Sequence, residues 1–151
     1  MRYRTLPTLA AILLYLALAV PLVAIAELRP VQVSDGVSYV TGGVGLEEST
    51  AIKEMRQDYP LTMVFAETTS DGRNQYLYGV QVEIERGNDL LFATETEGPY
   101  LLVRLPPGSY RVTASHNGVA KIQTISVGTK PKQVGWAWPA VSDRGDPDLS
   151  R

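Results

Sequence analysis

The stretch from Leu105 to Val127, LPPGSYRVTASHNGVAKIQTISV, decides the fold class. Pro106-Pro107-Gly108 turns the chain, after which Tyr110, Val112 and Ala114 alternate with Arg111, Thr113 and Ser115. Apolar and polar residues that alternate with a period of two mark a strand with one face buried. Asn117-Gly118 is a strong two-residue hairpin signal, and VAKIQTISV returns as the partner strand. Ile122 is out of phase with Ile125 and Val127, so a β-bulge near Gln123-Thr124 is expected to restore the register.

The same period holds on both sides of this hairpin. Upstream, Leu61 to Ala66 (LTMVFA) is apolar throughout, as a strand buried on both faces would be. Asp71-Gly72 marks a turn. In GVQVEIE, Val80, Val82 and Ile84 point one way and Gln81, Glu83 and Glu85 the other. Gly87-Asn88-Asp89 turns into LLFATET, and Gly98-Pro99 breaks the chain before YLLVRL. There, Leu101, Val103 and Leu105 alternate less cleanly. Downstream, QVGWAW places Val134, Trp136 and Trp138 on one face.

Ahead of the strands, Glu47 to Asp58 carries the helical period. Ala51, Ile52, Met55 and Tyr59 fall on one face, and Pro60 ends the segment. So short an amphipathic helix must lie against a sheet to persist in water. Ser38-Tyr39-Val40 reads as a brief strand. Six or seven short strands with frequent turn signals predict a mainly β protein: an antiparallel β-sandwich with one short N-terminal amphipathic helix. Antiparallel pairing is expected because no connection after Leu61 is long enough for a parallel crossover.

The first residues address the compartment. Arg2 and Arg4 precede an apolar run from Leu9 to Ile25, which closes in Ala24-Ile25-Ala26. These are the parts of a secretory signal peptide, with cleavage expected between Ala26 and Glu27 and a periplasmic destination. The alternative is an uncleaved segment, residues 9–25, anchoring the chain in the inner membrane, since its length is near the lower end of what spans a bilayer. The expected organisation is a signal peptide over 1–26, a tether over 27–37, one domain over 38–140, and a disordered tail over 141–151.

Without Arg2 and Arg4, the 14 basic residues become 12 against 16 acidic ones, a net charge of about −4. That balance argues against nucleic acid, whose phosphates call for clustered Lys and Arg. The chain has no cysteine, which excludes a disulfide framework and thiolate metal sites. Its stability must come from an apolar core.

At Leu105 to Val127, the pattern L-x-P-G-x-Y-x-V followed by a turn and a returning strand resembles the carboxypeptidase regulatory-like domains, which are small transthyretin-like (prealbumin-like) sandwiches. YVTGGVGLEES, MRQDYPLTMVFAE and YLYGVQVEIE are similar to the short secreted proteobacterial proteins that carry this domain. The resemblance covers Tyr39 to Trp138 and implies a fold. It implies no catalytic residues, because the zinc peptidase domain that accompanies these domains in carboxypeptidases has no counterpart here.

Thr41 to Ser49, TGGVGLEES, resembles a phosphate cradle, yet it lacks the Lys of a P-loop and the third Gly and preceding βαβ strand of a dinucleotide fingerprint. Glu47 and Glu48 occupy the first helical turn, where they favour the helix and repel phosphate. Gly42, Gly43, Gly45, Glu47 and Glu48 are therefore read as a tight turn into a helix and as a candidate partner-docking loop. His116, the one histidine, lies at a hairpin tip with no second His to complete a metal site. Glu83 with Glu85, and Glu95 with Glu97, are side by side on open strand faces without the cleft a glycosidase requires. In the tail, Asp143, Asp146 and Asp148 would bind calcium weakly, and Arg144-Gly145-Asp146 matches an adhesion tripeptide. Trp136 and Trp138 share a face with Val134, the pattern of a core strand; Trp138 with Tyr76 or Tyr78 could otherwise form a glycan-stacking platform.

No catalytic residues, metal or cofactor is expected. The expectation is a non-catalytic exported domain that binds a protein or cell-envelope component, through a sheet edge or the Gly42 to Gly45 loop. The alternative is a carbohydrate-binding module using its surface aromatics.

Overall fold

A computed structural model describes residues 31–140. The expected signal segment with Ala24, Ala26 and Glu27, and the tail with its aspartates and Arg144-Gly145-Asp146, lie outside the described residues. The elements in order are β1 (Gln32–Ser34), β2 (Val37–Gly42), α1 (Leu46–Met55), a 3-10 turn (Arg56–Asp58), β3 (Leu61–Thr68) and β4 (Asn74–Tyr76). They continue with β5 (Gln81–Arg86), β6 (Asp89–Glu95), β7 (Tyr100–Val103), β8 (Gly108–His116), β9 (Val119–Val127) and β10 (Lys132–Pro139). One sheet runs β1-β2-β7-β3-β10, with β4 also paired to β3; the second runs β6-β5-β8-β9.

The described residues are mainly β, two sheets with one short helix, consistent with a β-sandwich. The alternating residues meet between the sheets: Val80, Val82, Ile84, Tyr110, Val112 and Ala114 from one side pack against Met63, Phe65, Leu101 and Val103 from the other. A second, smaller cluster lies under the helix. Ile52, Tyr59 and the flanking Met55 cover Val40, Tyr100 and Leu102 on the outer face of the first sheet. Central strands covered on both faces lose their alternation. That is why β7 is buried at all four positions and why LTMVFA reads as a continuous apolar run.

The structure corrects four expectations. Among the described residues ten strands form where six or seven were expected; two of them, β1 and β4, have only three residues each. β1 lies inside the stretch read as a tether. It folds onto β2 through a two-residue turn at Asp35 and Gly36, both with positive φ, and Asp-Gly is the dipeptide such a turn favours.

β10 pairs with β3 in parallel over eight residues, from Lys132 opposite Leu61 to Pro139 opposite Thr68. Counting single connections misses this pair, because the chain visits the whole second sheet between the two strands. The bulge expected at Gln123-Thr124 is absent: β8 and β9 keep one register from Gly108↔Val127 to His116↔Val119. Ile122 instead faces outward, 55% exposed, on the edge strand β9. The register shift of the second sheet lies between Ile84 and Glu85, opposite β6.

Candidate functional site

β2 ends in the glycine stretch, and two close approaches explain its composition. Gly43 has φ of 96°, and a Cβ there would collide with the ring of Tyr100. A Cβ on Gly98 would collide with the backbone of Gly42. The loop is thus a contact where backbone meets backbone and ring, which only glycine permits. Gly45, with φ of 85°, is the N-cap of α1 and supplies no side-chain cap. The Glu48 carboxylate reaches back and accepts the Val44 N–H at 3.0 Å. Glu47 and Glu48 both lie in the first turn, where the helix dipole favours a negative charge. An anion approaching this helix start meets carboxylates already in place.

Tyr100 links this loop to the candidate aromatics. Its ring, at Cδ2 and Cε2, lies against Gly43, and it also packs on the ring of Tyr76 in a tilted arrangement, with centroids 5.8 Å apart. Its hydroxyl donates to that of Tyr76 at 3.2 Å. Burial, and then the hydrogen bond to Tyr76, push the Tyr100 phenol up to about 12 despite the opposing charge of Arg56.

The topology forces the meeting. β7 flanks β3 along Leu61 to Val64, and β4 takes over the same side from Ala66 to Thr68. The start of β7 and the end of β4 therefore abut. Tyr76 and Tyr78 are 61% and 71% exposed, with the buried Leu77 between them. Val44 and Leu46, which follow Gly43, are exposed as well.

Trp138 does not join them. Trp136 and Trp138 are each 2% exposed and stack at 6.5 Å between the sheets. The Trp138 indole N–H donates to the Val119 carbonyl at 2.9 Å, and Lys121 lies over its ring at 5.6 Å. The glycan platform that includes Trp138 is corrected accordingly: Trp138 shares the core face with Trp136.

His116 lies at the β8–β9 hairpin with its ring against Trp138, centroids 6.1 Å apart. Its Nδ1 is buried without a partner, and its Nε2 is 3.0 Å from the Asn117 amide nitrogen. No acid orients it. Among the described residues no group of three His, Cys, Asp or Glu converges as metal ligands would. Glu83 is exposed, and Glu85 is 3.9 Å from Arg111. Glu95 closes β6, while the buried Thr96 follows and accepts the Val80 N–H at 3.1 Å. Glu97 then lies in the connection, its N–H donating to the Thr41 hydroxyl at 3.0 Å. No helix among the described residues is long and apolar enough to cross a membrane.

Sequence reasoning placed the glycine loop and the tyrosines separately and missed Tyr100, their common support. The signal was Gly98-Pro99-Tyr100, a close-approach glycine directly before an aromatic. No protein-family model matches the chain, and no curated protein matches it.

Proposed function

We propose that this chain is a non-catalytic, exported domain of the carboxypeptidase regulatory-like type, whose surface at Gly42 to Gly45, Tyr76 and Tyr78 binds a protein or cell-envelope component. The observation that carries the reading is that Gly43 and Tyr76 both lie against the Tyr100 ring. Two stretches far apart in sequence thereby share one rigid support, and both present exposed apolar side chains, Leu46 at 83% and Tyr78 at 71%. Exposed tyrosines offer contact area at small entropic cost and are favoured at interfaces. Glu47 and Glu48 border the loop, which suits a partner bearing apolar and basic groups. Export rests on the tripartite segment ending at Ala26, with Glu27 as the first residue of the mature chain.

A photo-crosslinking side chain at Tyr78, compared in living cells with the same group at Ile122 on the opposite sheet, tests the assignment. A discrete adduct from position 78 and none from 122 is expected. Absence of an adduct at 44, 46 and 78 alike would remove this surface from consideration. N-terminal sequencing of the exported protein tests the compartment: a start at Glu27 is expected, and a start at Met1 or Arg2 would overturn cleavage.

A further inference from the structure

β7 and β4 lie end to end along one flank of β3, β7 beside Leu61 to Val64 and β4 beside Ala66 to Thr68. β2 covers only the first of them. Its last pair is Gly42 with Tyr100, after which the chain turns into α1. The lane beside β4, in line with β2, therefore holds no strand among the described residues. Asn74, Gln75 and Tyr76 are all exposed.

The register decides which backbone groups face that lane. The Leu77 N–H donates to the Phe65 carbonyl at 3.1 Å, and the Thr69 N–H donates to the Arg73 carbonyl at 2.8 Å. Bonded and non-bonded positions alternate along an antiparallel pair. Arg73, Gln75 and Leu77 thus turn their backbone groups toward β3, whereas Asn74 and Tyr76, opposite Thr68 and Ala66, turn theirs into the lane. Among the described residues no hydrogen bond reaches the N–H or C=O of either. The facing borders of β9 and β10 are, by contrast, bridged by side chains: Lys121 donates to the Ala137 carbonyl, Lys132 to that of Ser126 and Trp138 to that of Val119. β4, with the sequence NQY, has neither such bridges nor the lysine or proline that commonly guards an edge.

A strand in the lane would alternate its side chains between the two faces of the sheet. On one face it meets the Tyr76 ring, itself packed on Tyr100. Acids lie toward both faces: Glu47 and Glu48 in the first turn of α1, and Glu67 opposite Gln75, on the face away from Tyr76. We infer that a partner protein binds here by strand addition, an extended segment of alternating apolar and basic residues exchanging backbone hydrogen bonds with Asn74 and Tyr76. Backbone bonds give such a complex its affinity, and the alternate side chains give it specificity. The inference rests on the surface proposed above and names the form of its partner.

The test is a titration of the full-length chain with the capped pentapeptide KVKVK, followed through the backbone amide resonances. Saturable downfield shifts of the Asn74 and Tyr76 amides are expected, with a half-point of about 1 mM, a weak affinity suited to so short a probe. The same peptide N-methylated throughout has no N–H to donate and is expected to bind at least about tenfold more weakly. Asn74→Pro removes an N–H that points into the lane and no bond to β3; it is expected to weaken binding about tenfold with the melting temperature retained. Should Asn74→Pro fail to fold, the methylated peptide carries the comparison. Equal binding of the two peptides, or no saturable shift at Asn74 and Tyr76, would overturn strand addition. A crosslinked adduct from position 78 would in that case keep the surface as a site bound through side chains alone. Shifts at Asn74 and Tyr76 that grow with protein concentration before any peptide is added would make the occupant a second copy of this chain and overturn the assignment to a separate partner.

Discussion

The hydroxyl of Tyr100 lies 3.2 Å from that of Tyr76, and Cδ2 and Cε2 of the same ring lie against the bare backbone of Gly43. Three residues from three parts of the chain thus meet at one buried ring.

Gly43→Ala forces a Cβ into the Tyr100 ring at a φ that L residues rarely adopt. The substitution is expected to cost about 2–4 kcal/mol, strain and overpacking together. Gly45→Ala meets open space and retains only the backbone term, expected at about 1–2 kcal/mol. Urea unfolding of the two variants gives the comparison, and equal losses would refute the role assigned to the ring.

Tyr100 ties stability to alkaline pH. Its folded pKa of about 12 stands above the ordinary phenol value of 10, so the folded chain keeps a proton that the unfolded chain releases. The resulting stabilisation is complete below pH 10 and is lost as pH rises toward 12. Tyr76→Phe removes the hydrogen bond and the neighbouring charge while burial persists; the Tyr100 transition is expected to move down yet stay above 10. Ultraviolet titration of tyrosinate absorbance measures it.

With both indoles between the sheets, tryptophan emission is expected to be blue-shifted from that of free indole and to stay unchanged on addition of oligosaccharides. Trp138→Ala is expected to cost about 3–5 kcal/mol, because stacking on Trp136 and the bond to Val119 are lost together. Emission at the free-indole wavelength would contradict the burial.

The uninterrupted β8–β9 register makes Ile122 and Ile125 unequal. Ile122→Thr is expected to change stability by no more than about 0.5 kcal/mol. Ile125→Ala empties a core position and is expected to cost about 2–5 kcal/mol. A large loss at Ile122 would mean that its side chain is buried and that β9 carries a bulge.

Which parts were legible follows from where each signal is encoded. Tyr110, Val112 and Ala114 state their face locally, since strand period needs only near neighbours. The helix over Ala51 to Tyr59 was equally readable from its spacing and from Pro60. The partner of Val134 to Trp138 was not, because pairing with Met63 to Glu67 depends on the path of the intervening chain. Ile122 misled for a related reason: an edge strand tolerates an exposed isoleucine, and Lys121, half-buried beside Trp138, fills the inward position. At the candidate site, the glycines and tyrosines announced themselves, while their junction at Tyr100 required knowing that β7 and β4 share one flank of β3.

The parallel pairing of β3 with β10 also constrains assembly. Phe65 and its neighbours keep one flank unsatisfied until residues 132–139 arrive, whatever the direction of delivery. A chain cut short before Lys132 would present a bare hydrogen-bonding border along its most apolar strand, an invitation to aggregate. Residues 132–139 must therefore be made before the first sheet can close, and sequence-distant closure of this kind is slow.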